Sequence, residues 1–390
     1  MKKKKLLFVI DSLSAAGGEK SLVTLLSELD YDKYDVDLQL FSYGGEFQRF
    51  IPSEVNLLPP IAYLSFLSGN NKGTLRMWLS RVFYSIWLRV GNSSRNMTKA
   101  RKWWISSRKC IPDNLINYDA AIAYSQCIPT FYVIEKVHAT QKLAWVNCIY
   151  HLEGYEKEWQ RQYYESIGNI VLVSENSLQH FLTVYPEFKE RMVLMSDLIS
   201  VRSINRLSEE DESYKDNTNI RLLTVARLDK RDKGYDITLE ACKILRDRGV
   251  DFKWYAIGRG PYREEMERYI EANGLQDFFI FLGTTPNPYP YIKDCTIYVQ
   301  TSRHEGFGLS IAEARILNRP VVTTEFDSVY NQMVPGKNGL VVPIDATAVA
   351  DAIQKLLEDK NLYDSIVQYQ EQEKKGNLEE IEKFYQLIES

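Results

Sequence analysis

Apolar residues along this chain fall into short runs closed by polar residues. Between the runs lie stretches where apolar residues recur every three or four positions. Lys5-Leu-Leu-Phe-Val-Ile10 is the first run, ended by Asp11. An unbroken apolar run of that length suits a parallel strand covered on both faces. In residues 20–29, Leu22, Val23, Leu25, Leu26 and Leu29 share one helical face. Residues 36–41 read as the next strand, which completes a βαβ unit of a doubly wound domain. Residues 120–124, 143–146 and 170–174 continue as strand candidates.

A polar segment, residues 205–219, reads as a linker, and a clearer alternation follows it. Strands are expected at 220–225, 252–257, 279–282, 297–300, 321–323 and 339–342. Helices are expected at 234–248, 261–273, 309–318 and 346–359, with a last one at 377–388. The pattern predicts an α/β chain of two Rossmann-like domains, the first ending at residue 204 and the second starting at 205. At 390 residues the chain is long enough to give each domain its own core.

Composition adds little to the fold but narrows the function. Apolar residues at 45 % and charged ones at 26 % are ordinary for a globular protein. Five cysteines, never in a Cys-x-x-Cys pair, fit reduced thiols better than a disulfide framework or a zinc site. The opening Lys2–Lys5 cluster precedes too few apolar residues for a signal peptide. No stretch is apolar enough to suggest a spanning helix. A cytoplasmic location is therefore expected.

The net charge of −4 is unevenly spread. Residues 55–112 hold no Asp or Glu and ten Lys or Arg, so the rest of the chain carries 38 basic residues against 52 acidic ones. The same stretch holds Trp78, Trp87, Trp103 and Trp104, four of the seven tryptophans. This stretch reads either as first-domain helices with solvated arginines or as a surface for anionic lipid, assigned to residues 72–109. Nucleic acid fits poorly, because the whole chain is acidic and no nucleic-acid motif occurs.

The segment Gln300-Thr-Ser-Arg-His-Glu-Gly-Phe-Gly-Leu-Ser-Ile-Ala-Glu-Ala314 is the richest in chemistry. It lies between an expected strand and an expected helix, where α/β sheets bind ligands. Gly306 and Gly308 let backbone approach a ligand, and the amides that follow favour anionic groups. Glu305 and Glu313 can accept hydrogen bonds from sugar hydroxyls and from a ribose diol. Acidic residues near a helix start are also common for structural reasons. The segment from Thr224 to Asp236 follows another strand and carries Arg227 and Lys233, cations suited to a leaving diphosphate. Ala256-Ile-Gly258-Arg259-Gly-Pro adds a third glycine turn after a strand. Together the three loops point to a nucleotide diphosphate.

On these residues the chain resembles the GT-B-fold retaining glycosyltransferases of family 4, the glycosyl transferases group 1. The Glu-x7-Glu pattern of that family matches Glu305 and Glu313. The resemblance implies two Rossmann-like domains facing a central cleft, with residues 205–374 as the nucleotide-sugar domain. It also implies that residues 375–390 form a helix packing back on the first domain. Glu305 would contact the donor sugar as the catalytic residue, with Gly306, Phe307, Gly308 and Leu309 lining it. Glu313 would hold the ribose, and Arg227 and Lys233 the diphosphate, with Gly258 and Arg259 alongside. Gly17-Gly18 would border the reacting groups from the other domain.

Two departures bear on detail. Many relatives have one residue fewer between the Arg and the Lys-Gly, which leaves Lys230 or Arg231 able to share the role of Lys233. Many carry a histidine where this chain has Asn147; His151 is the candidate substitute. The implied activity is a hexosyltransferase (EC 2.4 class) using a nucleotide-diphosphate sugar, with UDP-sugar favoured. The implied acceptor is a glycan, in the lipid-linked form at the inner membrane face, in bacterial surface-polysaccharide assembly. Front-face substitution, with the phosphate helping to deprotonate the acceptor, is preferred to Glu305 as a covalent nucleophile. No cofactor and no metal are expected. Asp35-Val-Asp37 is the metal motif of the other major glycosyltransferase fold, but it begins a strand here and alternation puts both carboxylates on the polar side. An epimerase or phosphorylase on the same fold, or a non-catalytic partner, are the rival readings. The joint presence of Arg227, Lys233, Glu305 and Glu313 argues against the second.

Overall fold

The first apolar run forms β1 (Lys4–Ile10), in which every side chain from Leu6 to Ile10 is buried. β2 (Tyr34–Leu40), β3 (Val55–Leu57), β4 (Asn114–Ala123), β5 (Val137–Val146), β6 (Asn169–Leu172) and β7 (Met192–Leu194) join it. These seven strands form a parallel sheet in the order β3-β2-β1-β4-β5-β6-β7. A second parallel sheet holds β8 (Arg221–Val225), β9 (Lys253–Ile257), β10 (Phe279–Gly283), β11 (Ile297–Gln300), β12 (Val321–Thr324) and β13 (Gly339–Val342). Its order is β10-β9-β8-β11-β12-β13. The computed structural model describes residues 2–14, 17–90, 96–147, 152–211 and 213–389, with Asn96 described by its backbone alone.

The chain divides into two compact units, one of residues 1–198 with 378–390, the other of residues 199–377. Each sheet is covered on both faces, which accounts for the unbroken apolar runs. In β1, Leu6, Phe8 and Ile10 face a cluster with Leu22, Leu25 and Leu26 of the helix Gly17–Glu28. Leu7 and Val9 face the opposite cluster, with Trp104, Tyr118 and Phe131. In the second unit, Leu222, Trp254 and Val299 pack under the helices Tyr235–Asp247 and Ala346–Glu358. Leu223, Tyr255 and Tyr298 pack against Ile311 and Ile316 on the other face.

The helix Ile381–Glu389 belongs to the first unit and completes its core. Phe384 stacks on Phe8 at 5.8 Å between ring centroids and lies 6.2 Å from Trp145. Tyr385 stacks on Tyr34 at 5.6 Å. Lys4 Nζ donates to the Ile388 carbonyl at 3.0 Å, and the Tyr34 hydroxyl donates to Glu389 at 2.9 Å.

The division between units falls at 198/199 and 377/378, near but not at the expected 204/205 and 374/375. Residues 205–219, read as a linker, are in fact part of the second unit. Helix Val201–Leu207 buries Ile204 in the cluster around Leu223. Tyr214 packs 4.5 Å from Tyr255, and Asp216 accepts from Lys253 Nζ at 3.3 Å. The polar composition of this segment concealed a single aromatic anchor. At the other crossing, the Asn377 side chain accepts from the Ile199 amide at 2.7 Å. The first helix, read over residues 20–29, starts three residues earlier, with Gly17-Gly18 opening the helix Gly17–Glu28. The pair Asp35 and Asp37 also departs from expectation, since only Asp35 is exposed. Asp37 is buried and accepts from Asn56 Nδ2 at 2.7 Å and the Tyr118 hydroxyl at 2.8 Å, with Lys5 Nζ at 3.4 Å.

Phe384→Ala should destabilise the first unit by about 3–5 kcal/mol, the usual cost of deleting a buried aromatic ring. Urea unfolding should show the loss in that unit's transition and leave the 199–377 transition in place.

Candidate active site

In the second sheet β8 and β11 are neighbours, yet the chain leaves β8 toward β9 on one side and β11 toward β12 on the other. Connections that depart to opposite sides open a crevice at the carboxyl ends of these two strands. Two loops border it. One runs from Ala226 to Gly234, ahead of the helix Tyr235–Asp247. The other runs from Thr301 to Gly308, ahead of the helix Leu309–Ile316. Arg227 and Lys233 lie on the first loop, and Glu305, Gly306, Phe307 and Gly308 on the second.

The loops meet at Glu305. Lys233 Nζ donates to its Oε2 at 2.6 Å, with the two side chains only 21 % and 11 % exposed. Its Oε1 accepts from Ser302 Oγ at 2.7 Å and from Gln300 Nε2 at 3.0 Å. A carboxylate so withdrawn from water needs such partners. Ser328 Oγ donates to the Glu305 carbonyl at 3.0 Å and fixes the backbone as well. Lys230 turns elsewhere and pairs with Glu265 at 3.2 Å, while Arg231 is exposed. Arg227 is exposed and donates to Asp232 at 3.1 Å. The pairing leaves its guanidinium open to solvent.

Further braces hold the loops together. Arg303 grips Asp236 with two bonds of 2.8 and 2.9 Å and donates to the Lys230 carbonyl at 2.8 Å. The amides of Arg303 and His304 donate to the Asp232 carbonyl at 2.7 and 3.2 Å. Gln332 Nε2 donates to the carbonyls of Phe307 and Gly308. Gly308 caps the following helix at φ +84°, a left-handed conformation that a side chain would strain. A Cβ at Gly306 would meet no protein atom within 4 Å, so its open side faces space that a ligand can fill.

Phe307 and Leu309 tuck partly into the cluster beneath. Glu313, one turn further along, is 4 % exposed, with the Tyr289 hydroxyl 3.5 Å from Oε1. The third glycine turn lies against the first loop. The Arg259 carbonyl accepts from the Leu228 amide at 3.1 Å, and the Arg259 side chain is exposed. Gly258, at φ +150°, leaves no room for a side chain, because a Cβ would sit 1.9 Å from the Ala226 carbonyl oxygen.

The first unit has its own set of polar groups at strand ends. Ser125, after β4, donates to Asp11 at 2.7 Å. Asn147, after β5, donates to the Tyr124 carbonyl at 2.7 Å. A Cβ on Gly18 would lie 2.9 Å from Asn147 Nδ2, which puts Gly18 beside that side chain, whereas Gly17 has open space. Asn147 Oδ1 is buried with no hydrogen-bond partner among the described residues, an acceptor open to a ligand hydroxyl. His151 lies outside the described residues.

The sequence reading missed Gln300, Ser302, Arg303, Asp236 and Gln332. The first two had a visible signal, since the apolar strand 297–299 ends abruptly in Gln-Thr-Ser. The Arg303–Asp236 pair spans 67 positions and leaves no local trace.

Residues 205–373 match the family model described as glycosyl transferases group 1. Over this segment, somewhat under half of its length, the chain is similar to the glycosyl transferases group 1 family. It is 28 % identical over 217 residues to the capsular polysaccharide biosynthesis glycosyltransferase CapM of Staphylococcus aureus, covering 51 % of this chain and 54 % of that one. It is 25 % identical over 191 residues to an N-acetylgalactosamine-N,N'-diacetylbacillosaminyl-diphospho-undecaprenol 4-alpha-N-acetylgalactosaminyltransferase of Campylobacter jejuni, covering 48 % and 50 %. The chain thus spans about half the length of these curated relatives. Among solved structures it resembles a mutant of S. aureus TarM in complex with Fondaparinux, alpha-GlcNAc-glycerol and UDP. That match has a TM-score of 0.68 at 15 % identity, covering 99 % of this chain and 100 % of the other. The fold is GT-B, with two Rossmann-like units.

Gly258→Ala should destabilise the 199–377 unit by several kcal/mol, about the cost of combined overpacking and backbone strain. Denaturant unfolding should register the loss, while the exposed Gly306→Ala leaves the midpoint nearly unchanged.

Proposed function

We propose that this chain is a retaining glycosyltransferase that moves a sugar from a nucleotide diphosphate, a UDP-sugar, onto a lipid-linked glycan in surface-polysaccharide assembly. The observation that carries the reading is the Lys233–Glu305 pair at the β8–β11 switch point. It sets a cation suited to a leaving diphosphate 2.6 Å from a carboxylate suited to sugar hydroxyls. Arg227, on the same loop as Lys233, supplies a second cation for the diphosphate. Glu305 keeps lone pairs on Oε2 for a sugar hydroxyl. Gly306 leaves room for the ring, Phe307, Gly308 and Leu309 shape the wall, and Gly258 and Arg259 border the phosphates. Glu313 takes the ribose diol at the buried end.

In the first unit, Asn147 Oδ1 beside Gly18, without a partner among the described residues, accepts from a sugar or acceptor hydroxyl, with Gly17 adjoining. In the transfer the acceptor oxygen bonds to the anomeric carbon as the bond to the diphosphate breaks. The hydroxyl proton passes to a diphosphate oxygen. The CapM and Campylobacter relatives support a polysaccharide setting and a diphospho-undecaprenol-linked acceptor. The UDP in the TarM complex supports the nucleotide.

Binding and hydrolysis of UDP-, GDP- and ADP-sugars by the chain and its Glu313→Ala variant test this reading. Selective binding of one UDP-sugar, weakened by Glu313→Ala, is the expected outcome. No binding by any donor would leave a non-catalytic relative of these enzymes. Glu305→Gln should lower turnover by about 10³-fold or more, the scale for losing a group that acts on developing charge. Near-normal turnover would remove Glu305 from the reaction.

A further inference from the structure

The helix Leu75–Arg89 starts at Thr74, whose hydroxyl accepts from the Met77 amide at 3.4 Å. One side packs inward. Ser80 exchanges a hydrogen bond with the Tyr63 hydroxyl and donates to the Ser106 carbonyl, both at 2.8 Å, and Trp87 is half-buried. At about 100° per residue, Leu75, Leu79, Val82 and Ile86 fall within an arc of about 60° on the opposite side. Trp78 and Phe83 flank them. All six are between 50 and 76 % exposed. An ordinary surface helix is polar there; this one turns its most apolar stripe outward.

Cations edge the stripe. Arg76, Arg81 and Arg89 are exposed, and the Arg81 guanidinium lies 5.7 Å from the Trp78 ring. No acid occurs in residues 55–112 to neutralise them. Three other cations of this stretch are engaged by protein groups. Arg101 pairs with Glu156 at 2.9 Å, Arg108 with Glu135 at 3.0 Å, and Lys102 donates to the carbonyls of Trp87 and Val90 at 2.8 Å. Lys72, Lys99 and Lys109 are exposed as well, so the basic surface extends beyond this helix, which alone joins three exposed arginines to an exposed apolar stripe.

We infer that the outward face of Leu75–Arg89 docks into the headgroup layer of an anionic lipid bilayer. Charge complementarity selects this occupant. A second copy meeting the first through a twofold axis would set the same patch against itself, bringing the Arg76, Arg81 and Arg89 rims together with no acid between them. Anionic headgroups neutralise those rims while the acyl boundary takes the Leu, Val, Ile, Phe and Trp side chains. No helix among the described residues is long and apolar enough to cross a membrane, so this one lies in the interface plane. The inference concerns where the chain sits, goes beyond the transfer reaction, and does not depend on it.

The test is flotation of the full chain with vesicles of phosphatidylcholine alone or with about one third phosphatidylglycerol, at moderate salt. Three proteins are compared: the parent, Leu79→Glu with Ile86→Glu, and Arg76→Ala with Arg81→Ala and Arg89→Ala. Parent protein should float only with the anionic vesicles. The triple arginine variant should lose on the order of a hundredfold in partitioning, about fivefold per cation. The double glutamate variant should not float. Both variants should keep the parent's thermal midpoint and UDP affinity, which separates a docking defect from misfolding. Absence of flotation by the parent, or flotation that the glutamates leave intact, overturns the inference. So does a dimer in solution that the glutamates dissociate, which would assign the face to a second copy. UDP binding is read in the same samples, so a failed nucleotide reading shows separately.

Discussion

A sheet whose strands are all parallel must be covered on both faces, and most of this structure follows from that requirement. Each connection has to cross a face as a helix or long loop, which leaves the strand ends as the place where polar groups gather. β1 shows the cost in sequence: five successive buried residues, three facing one cluster and two the other. At the carboxyl ends the requirement relaxes. There Gln300, Ser302 and Glu305 follow directly on the buried Ile297–Val299.

The Glu305 carboxylate is tolerated there because the same loops that withdraw it from water also satisfy it. Ser302 and Gln300 occupy one oxygen, and Lys233 the other. The arrangement is pre-assembled by side chains that need not touch any ligand, chiefly Arg303 bridging Asp236 and the Lys230 carbonyl, and Gln332 pinning the carbonyls before the helix Leu309–Ile316. A site on loops gains the precision of a site on strands when the loops are bonded to each other in this way.

The sheets were legible because a strand buried on both faces writes itself as an apolar run. Every strand expected from the sequence is present. β3 and β7 escaped because Val55–Leu57 and Met192–Leu194 are too short to form a run. The start of the first helix was misplaced because glycine reads as loop, although two glycines can occupy a helix's first turn. Residues 205–219 read as a linker because their charge outweighs their one aromatic anchor, Tyr214, and their polar anchors, such as Asp216 on Lys253 and Asp211 on Asn287, leave no local trace. In the site, residues within a single motif were legible, whereas pairs joined across tens of positions were not. The helix Leu75–Arg89 is a different case. Its periodicity is blurred because both sides carry apolar residues, so only its packing tells which side is outward.

The first unit is assembled from segments at opposite ends of the numbering. Its Phe8 face is closed by Phe384, Leu387 and Ile388, and Lys4 reaches the carbonyl of Ile388. During synthesis, therefore, β1 to β7 leave the ribosome long before their last covering helix does. The whole of the second unit must be translated in between. Until then a strip of the first core is open to water and to other chains, a state that chaperones protect and that aggregation exploits. Stalled or truncated products of this chain will be sticky at the amino-terminal half, the half that was made first.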